Sequence, residues 1–456
     1  MRKEWLLLIP AVLLYFYAPD SYNWGFCFLC SILFILGAIF VMLPEMKKGV
    51  FLSFNLIFFF SYFWTSFAYP VLIYGTNADR GNVFNRVINW NQLSHTSALA
   101  LLFIVAYIVG FSYHKKKAFS DDKVYRSHYK VPYVLYSVCL VVYLGLAIIG
   151  FVSLGRRNMA MGKYMIDIFF TIYTICLFVN THNNKSKYDN TLANFLITNA
   201  YLVTTGVLVF LTFVVLGDRM PAIKMALTII AVYYLFWEKI KIRHMVVCAF
   251  FFLLLLFFVR QTRGSNVSIV SGNITGNTIE SVFDIENGPL FMFADLFYIN
   301  RELNLGYEYA QKHELYHPES IVIAPLYPFP ILPSFVSNAL FGVSPADMQT
   351  VRQLNAGLDY EYDIEGHLGN HPASDLLMSY GLLGMLLIAY LLGRCIGYIQ
   401  SKYRSNFYMG ICYIVLIGWS LYLARSVVVS LIRPVGYVFL FGYLLYRIPI
   451  FKSRKR

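Results

Sequence analysis

TSALALLFIVAYIVGFSYHKKKAFSDDKVYRSHYK, residues 96–130, decides the fold. Its first half, 96–113, is an unbroken apolar run. Its second half collects Lys115, Lys116, Lys117, Lys123, Arg126 and Lys130, and a further apolar run, 131–153, follows at once. A helix needs about 20 mostly apolar residues to cross a bilayer, and loops dense in Lys and Arg stay in the cytoplasm. The same alternation continues in both directions. Lys47 and Lys48 share one short connection, Lys239, Lys241 and Arg243 another, and Arg447, Lys452, Arg454, Lys455 and Arg456 form the tail. The apolar runs between these clusters come in pairs, so every dense cluster falls on one side.

The balance of the 456 residues agrees. Hydrophobic residues make up 58% and charged residues 13%, far from a soluble domain. The net charge of +13 does not point to nucleic acid, because most basic residues sit at span ends, where they set topology and meet lipid headgroups. The first residues are basic and then apolar, as in a signal peptide. They lack a small-residue cleavage site and are interrupted by Pro10, which predicts a retained first span. Cys27, Cys30, Cys139, Cys176, Cys248, Cys395 and Cys412 all lie in apolar runs or at their ends. Cys27 and Cys30 have CxxC spacing, but 24–41 reads as continuous helix, so they are expected to be small packing residues.

The sequence therefore predicts an all-α, polytopic integral membrane protein of about twelve transmembrane helices, at about 4–19, 24–43, 50–74, 96–113, 131–153, 165–180, 191–216, 221–237, 245–259, 375–393, 406–424 and 428–446. Three parts follow. Residues 1–259 hold nine spans, 260–374 form one long outward loop with interfacial helices, and 375–456 hold three spans and a basic cytoplasmic tail. Both termini are then cytoplasmic. Residues 321–341 are apolar but carry Pro325, Pro328, Pro330 and Pro333, so they are expected to lie in the outer interface or re-enter it. No internal repeat and no separate soluble domain is visible.

Most outward basic residues are arginines: Arg80, Arg86, Arg156, Arg157, Arg219, Arg260, Arg263, Arg301, Arg352 and Arg425. Guanidinium forks bind phosphate bidentately and stay charged when partly buried. Arg219 is the leading candidate. It follows Gly217 and Asp218 and precedes Pro221, with Lys224 one turn deeper, so a tight polar break leads into a helix amino terminus suited to an anion. An Asp218–Arg219 pair that only steadies the turn is the alternative. Arg260 and Arg263 end the ninth span, and Arg425 and Arg433 flank the last outward turn, where interfacial anchoring explains them almost as well. Arg80, Arg86, Arg156, Arg157, Arg301 and Arg352 are expected on a solvated surface.

The second candidate is His367-Leu368-Gly369-Asn370-His371-Pro372-Ala373-Ser374-Asp375, with Asp359, Glu361, Asp363 and Glu365 upstream. A His at the mouth of a membrane cavity accepts or orients a hydroxyl proton near neutral pH. His371 is the candidate base or orienter, with Asp218, His367, Glu361, Asp363 and Asp375 as orienting groups. An ordinary loop His remains open, as does a metal pair, although Gly369 and Pro372 disfavour a helical metal face.

The order Gly217-Asp218-Arg219, then His371, then Leu376, Gly381, Leu382 and Gly384 resembles the bacterial O-antigen polymerase and ligase superfamily. The run from Pro325 to Pro333 is similar to the aromatic and proline stretch of its polymerase (Wzy) branch, and Pro372 stands where ligases often carry Asn. The resemblance implies glycosyl transfer on the outer face of the bacterial cytoplasmic (inner) membrane. The donor is a glycan on undecaprenyl diphosphate, and the acceptor is a lipid-linked repeat unit. It implies His371 at the acceptor hydroxyl and Arg219, Lys224, Arg260, Arg263 and Arg425 at the diphosphate. No cofactor and no metal is called for. Expected partners are the lipid-linked substrates, membrane lipid, a chain-length regulator and a flippase, with no nucleic acid. Two other classes compete, an O-antigen ligase and a transporter of lipid-linked sugars. A transporter usually shows repeated halves. A glycosyltransferase with acids in its first outward loop is weaker, since that loop offers Asp20 alone.

Overall fold

A computed structural model describes residues 3–47, 49–74, 90–114, 129–154, 160–185, 187–216, 219–238, 296, 299–329, 331–350 and 370–447. Among these residues the chain is helical and has no β-strand. In chain order the helices are α1 (Leu8–Phe16), α2 (Trp24–Lys47), α3 (Phe54–Ser66), α4 (Leu93–Ser112), α5 (Tyr133–Leu154), α6 (Ala160–Asn184), α7 (Leu192–Thr198), α8 (Ala200–Leu216), α9 (Arg219–Val232), α10 (Ile299–Lys312), α11 (Ser320–Ile323), α12 (Leu332–Phe341), α13 (Pro372–Lys402), α14 (Phe407–Leu423) and α15 (Ile432–Arg447).

Among the described residues, six helical stretches are long and apolar enough to cross a membrane: Trp24–Lys47, Leu93–Ser112, Met165–Asn184, Met220–Trp237, Pro372–Lys402 and Val428–Leu445. A seventh results if α7 and α8 are one span bent by 89°. Asn199 sits at that bend. Its side-chain oxygen accepts from Asn180 Nδ2 at 2.9 Å and Thr181 Oγ1 at 3.3 Å, which gives the kink a local cause. The expected spans 4–19, 131–153 and 406–424 fall on shorter apolar helices. In the expected span 50–74, α3 stops at Ser66 and a separate turn, Tyr69–Ile73, follows with Pro70. The expected span 245–259 lies outside the described residues. Within 321–341 the helices are short, and the longest, α12, has 10 residues and ends on Gly342 in the left-handed conformation.

The chain divides into two compact units. Unit 1 comprises Met1–Val124, Asp295–Met409 and Ser420–Ile432, and unit 2 comprises Tyr125–Ala294, Gly410–Trp419 and Arg433–Arg456. At the centre of unit 1 is α4, buried along nearly its whole length, and its most extensive partner is α13. Glycines explain how closely they pack. A Cβ on Gly110 would lie 2.0 Å from the Tyr390 carbonyl oxygen, and one on Gly393 would lie 2.0 Å from that of Tyr107. Gly397, four residues after Gly393, lies against the Phe111 carbonyl. Small residues at this spacing let apolar helices bring their backbones together.

One break interrupts α13. Gly381 has φ 68° and ψ −178°, a conformation essentially reserved for glycine. Carbonyls just before such a break lose their helical donors. That of Met378 accepts instead from the Tyr316 backbone N–H at 2.9 Å. Tyr380 is held by its hydroxyl, 2.7 Å from Ser320 Oγ. The first nine residues of α13, Pro372–Tyr380, thus form a separate helical piece, preceded by His371 and carrying Ser374 and Asp375 near its start.

Candidate functional site

In unit 1, His371 is the N-cap of α13. Its backbone is extended, and its Nδ1 accepts from the Ala373 N–H at 3.2 Å, with Pro372 filling the first helical position. Because Nδ1 accepts, the neutral ring carries its proton on Nε2, which lies 2.9 Å from Ser66 Oγ. The imidazole is wholly buried against the Tyr62 ring, with centroids 5.3 Å apart. Desolvation pushes its pKa well below the ordinary value, so the ring is neutral.

The neighbours of His371 tie three segments together. Asp375 Oδ1 accepts from Thr350 Oγ1 at 2.5 Å and Asn370 Nδ2 at 3.4 Å, and Oδ2 accepts from the Val428 N–H at 3.3 Å. Asn370 also donates from Nδ2 to Thr350 Oγ1 at 2.5 Å, and its backbone N–H donates to the Arg425 carbonyl at 3.2 Å. Its Oδ1 accepts from the His371 N–H at 2.8 Å, and Ser374 Oγ donates to the His371 carbonyl at 3.0 Å. All six residues from Asn370 to Asp375 are buried.

Helix α10 adds a second set of polar groups to this unit. Asn300 Nδ2 donates to the Ser66 carbonyl at 2.9 Å, and Asn304 accepts from Thr96 Oγ1 at 3.2 Å. Between them, Arg301 Nη2 donates to Glu302 Oε1 at 2.9 Å, and the two side chains are 8% and 0% exposed. Every residue from Ile299 to Asn304 is buried. Burial raises the Glu302 carboxyl above its ordinary pKa, with Arg301 pulling the other way.

Unit 2 contains an ion cluster inside apolar helices. Asp167 of α6 meets Lys224 of α9 at 3.5 Å through one carboxylate oxygen and Arg433 of α15 at 3.6 Å through the other. The Lys224 ammonium also lies 3.2 Å from the centroid of the Trp419 ring, a cation–π contact. Two cations thus share one carboxylate.

No family model, curated protein or solved structure matches this chain.

The expected site residues are distributed as follows. His371 and Asp375 are in one hydrogen-bonded group, with the Arg425 backbone beside them and its side chain half-buried. Arg219 is the first residue of α9, two residues before the expected start of that span, with Gly217 outside the described residues, and Lys224 lies on the same helix and meets Asp167. Asp218, Arg260, Arg263, Glu361, Asp363 and His367 lie outside the described residues. Arg301 corrects an expectation. It is not solvated but 6% exposed, because α10 is buried on every side over its first turns. Ser66, Thr350, Asn300, Glu302 and Asp167 were not singled out from the sequence. Asp167 had a legible signal, a lone acid inside an apolar run. Glu302 had none, since its surroundings come from residues far away in the chain. Among the described residues no group of three His, Cys, Asp or Glu is placed to hold a metal ion.

Proposed function

We propose that this protein is an oligosaccharide repeat-unit polymerase of the O-antigen type. It transfers a growing glycan from undecaprenyl diphosphate to the acceptor sugar of a lipid-linked repeat unit. The observation that carries the reading is the start of α13. There, in the stretch whose sequence resembles the polymerase family, six consecutive residues from Asn370 to Asp375 are buried at the head of a membrane-length apolar helix. Burying such groups is costly, which makes them functional by default.

In this reading the protein is a twelve-span bundle of the bacterial inner membrane with both termini cytoplasmic and 260–374 outside. The short helices α11 and α12 fit an interfacial segment, since Ile321, Ile331, Phe335 and Leu340 are exposed apolar side chains among prolines. The acceptor hydroxyl attacks the anomeric carbon, the new C–O bond forms, and the lipid diphosphate departs with the electron pair of the broken bond. Arg219, Lys224, Arg260, Arg263 and Arg425 stabilise the charge on the leaving group. Lys224 is held inside apolar helices by Asp167, which also meets Arg433. His371 orients the acceptor through Ser66, because both of its ring nitrogens already have partners. Asp375 ties together the segments around it, and Asp218, His367, Glu361 and Asp363 are further orienting groups. A chain-length regulator and a flippase are the expected partners.

The test is the surface polysaccharide of a strain lacking this gene, resolved on a gel. Material limited to a single repeat unit is the expected result. Long polymer held on the undecaprenyl carrier, absent from lipid A, would replace this reading with a ligase. Loss of all outer-face material would replace it with a transporter of lipid-linked sugars.

A further inference from the structure

Two buried atoms in unit 1 stand out because they have opposite hydrogen-bonding needs. The Arg301–Glu302 pair is joined by one hydrogen bond rather than two. Arg301 Nε, a donor, and Glu302 Oε2, an acceptor, are both buried and have no hydrogen-bond partner among the described residues. A guanidinium and a carboxylate can close a two-bond fork, and this pair does not. Leaving an atom of a buried charged group unsatisfied is costly, and here a donor and an acceptor of one ion pair are both left open. A hydroxyl both accepts and donates, so it is one group that could serve Arg301 Nε and Glu302 Oε2 together.

The position of the pair in the fold fits. Asn300, on α10, reaches Ser66, whose hydroxyl contacts His371. Gly306, further along α10, lies against Ser374, and a Cβ there would be 2.5 Å from that of Ser374. The third turn of α10 therefore lies against the first turn of α13. Glu302 is four residues before Gly306, so both lie on the face of α10 that packs on α13. One turn back from Ser374 along α13 is the capped end with Asn370 and His371. Glu302 is thus placed one turn nearer the start of α10 than the residue that meets Ser374.

We propose that the Arg301–Glu302 pair is the acceptor-hydroxyl site, and that Glu302 is the catalytic base of the transfer. This rests on the polymerase reading and adds to it the residue that takes the proton. The acceptor O–H breaks and its proton goes to Glu302 Oε2. The oxygen's electron pair forms the bond to the anomeric carbon, and the bond from that carbon to the lipid diphosphate breaks toward phosphate. Arg301 Nε holds the hydroxyl oxygen. His371 is left with positioning, which its committed nitrogens allow. The raised pKa of Glu302 strengthens it as a proton acceptor.

The experiment is elongation of purified lipid-linked repeat units by the full-length protein in detergent or nanodiscs. The wild type is compared with Glu302→Gln and with the double variant Arg301→Met/Glu302→Gln. Thermal unfolding of each is measured alongside. Glu302→Gln is expected to lose about a hundredfold or more in turnover, the range for a lost general base, with a smaller change in acceptor KM. The double variant separates this from a structural role. A buried ion pair that only supports the fold is replaceable by neutral groups, so a structural pair predicts recovered activity. The base assignment predicts a folded and still inactive protein. Wild-type turnover in Glu302→Gln, or recovery in the double variant, overturns the assignment and leaves the polymerase reading intact. A wild-type protein that folds and does not elongate repeat units overturns both.

Discussion

Gly393→Ala adds a single methyl group to the closest helix contact in unit 1. The new carbon would begin 2.0 Å from the Tyr107 carbonyl oxygen and 2.9 Å from the Phe111 amide nitrogen. An ordinary carbon–oxygen contact is about 3.3 Å or more, so the helices must part by about 1.3 Å. The obstacle is backbone, with no rotamer to turn aside. A radial gap of about 0.5–1 Å already forfeits a quarter to a half of the dispersion well at each contact, and the loss runs the length of the α4–α13 seam. Overpacking usually costs about 1–3 kcal/mol, and this case belongs at or above the top of that range. The assay is thermal unfolding in detergent, read as surviving monomer by size-exclusion chromatography. Gly145→Ala is the control, since a Cβ there meets nothing within 4 Å and α5 gains about 1 kcal/mol of helix propensity. Gly393→Ala should melt several degrees lower and Gly145→Ala at or above wild type. Equal melting of Gly393→Ala and wild type would refute the close seam.

Three other outcomes are expected. Asp167→Asn removes the carboxylate shared by Lys224 and Arg433, and breaking such a buried group costs about 3–5 kcal/mol. Asp167→Asn/Lys224→Met should recover much of that loss, and an unchanged melting temperature in the single variant would show that the cluster carries no such energy. Gly381→Ala should destabilise by about 1–3 kcal/mol through backbone strain alone, because the nearest side-chain atom is 3.7 Å from the new Cβ; wild-type stability would reject the break. Reporter fusions after residues 118 and 240 should read as cytoplasmic and those after 300 and 350 as external, and opposite answers at 300 and 350 would mean that 321–341 crosses the membrane.

How much of this was legible depends on whether the deciding contacts are local. The stretches 24–43, 96–113 and 375–393 announce themselves, because apolar length is a property of the chain itself. The head of α13 is less plain: the helix begins at Pro372, three residues before the expected start of the span at 375. In the segment 50–74 the apolar content is continuous, and the change from α3 at Ser66 to the π-helical turn Tyr69–Ile73 with Pro70 is not announced by it. Arg301 misleads for a different reason. Its neighbours Asn300, Glu302 and Asn304 make the local sequence look solvated, and only Ser66 and Thr96, more than two hundred residues earlier, explain their burial.

The break at Gly381 has a mechanical consequence. Residues beyond it, Leu382–Lys402, make a helix about 30 Å long at 1.5 Å per residue, which matches the hydrocarbon thickness of a bilayer. Such a helix answers thicker or thinner lipid by changing its tilt. In an unbroken rod, that tilt would swing the far end sideways. Here the nine residues before Gly381 are fastened on their own, by Tyr316 at the Met378 carbonyl, by Ser320 at Tyr380 and by Thr350 and Val428 at Asp375. Gly381 is where the chain passes from this fastened head to a shaft that is itself locked to α4 at Gly393 and Gly397, so any tilt of the shaft carries α4 with it. Activity is expected to change more steeply with acyl-chain length in a Gly381 variant than in the wild type.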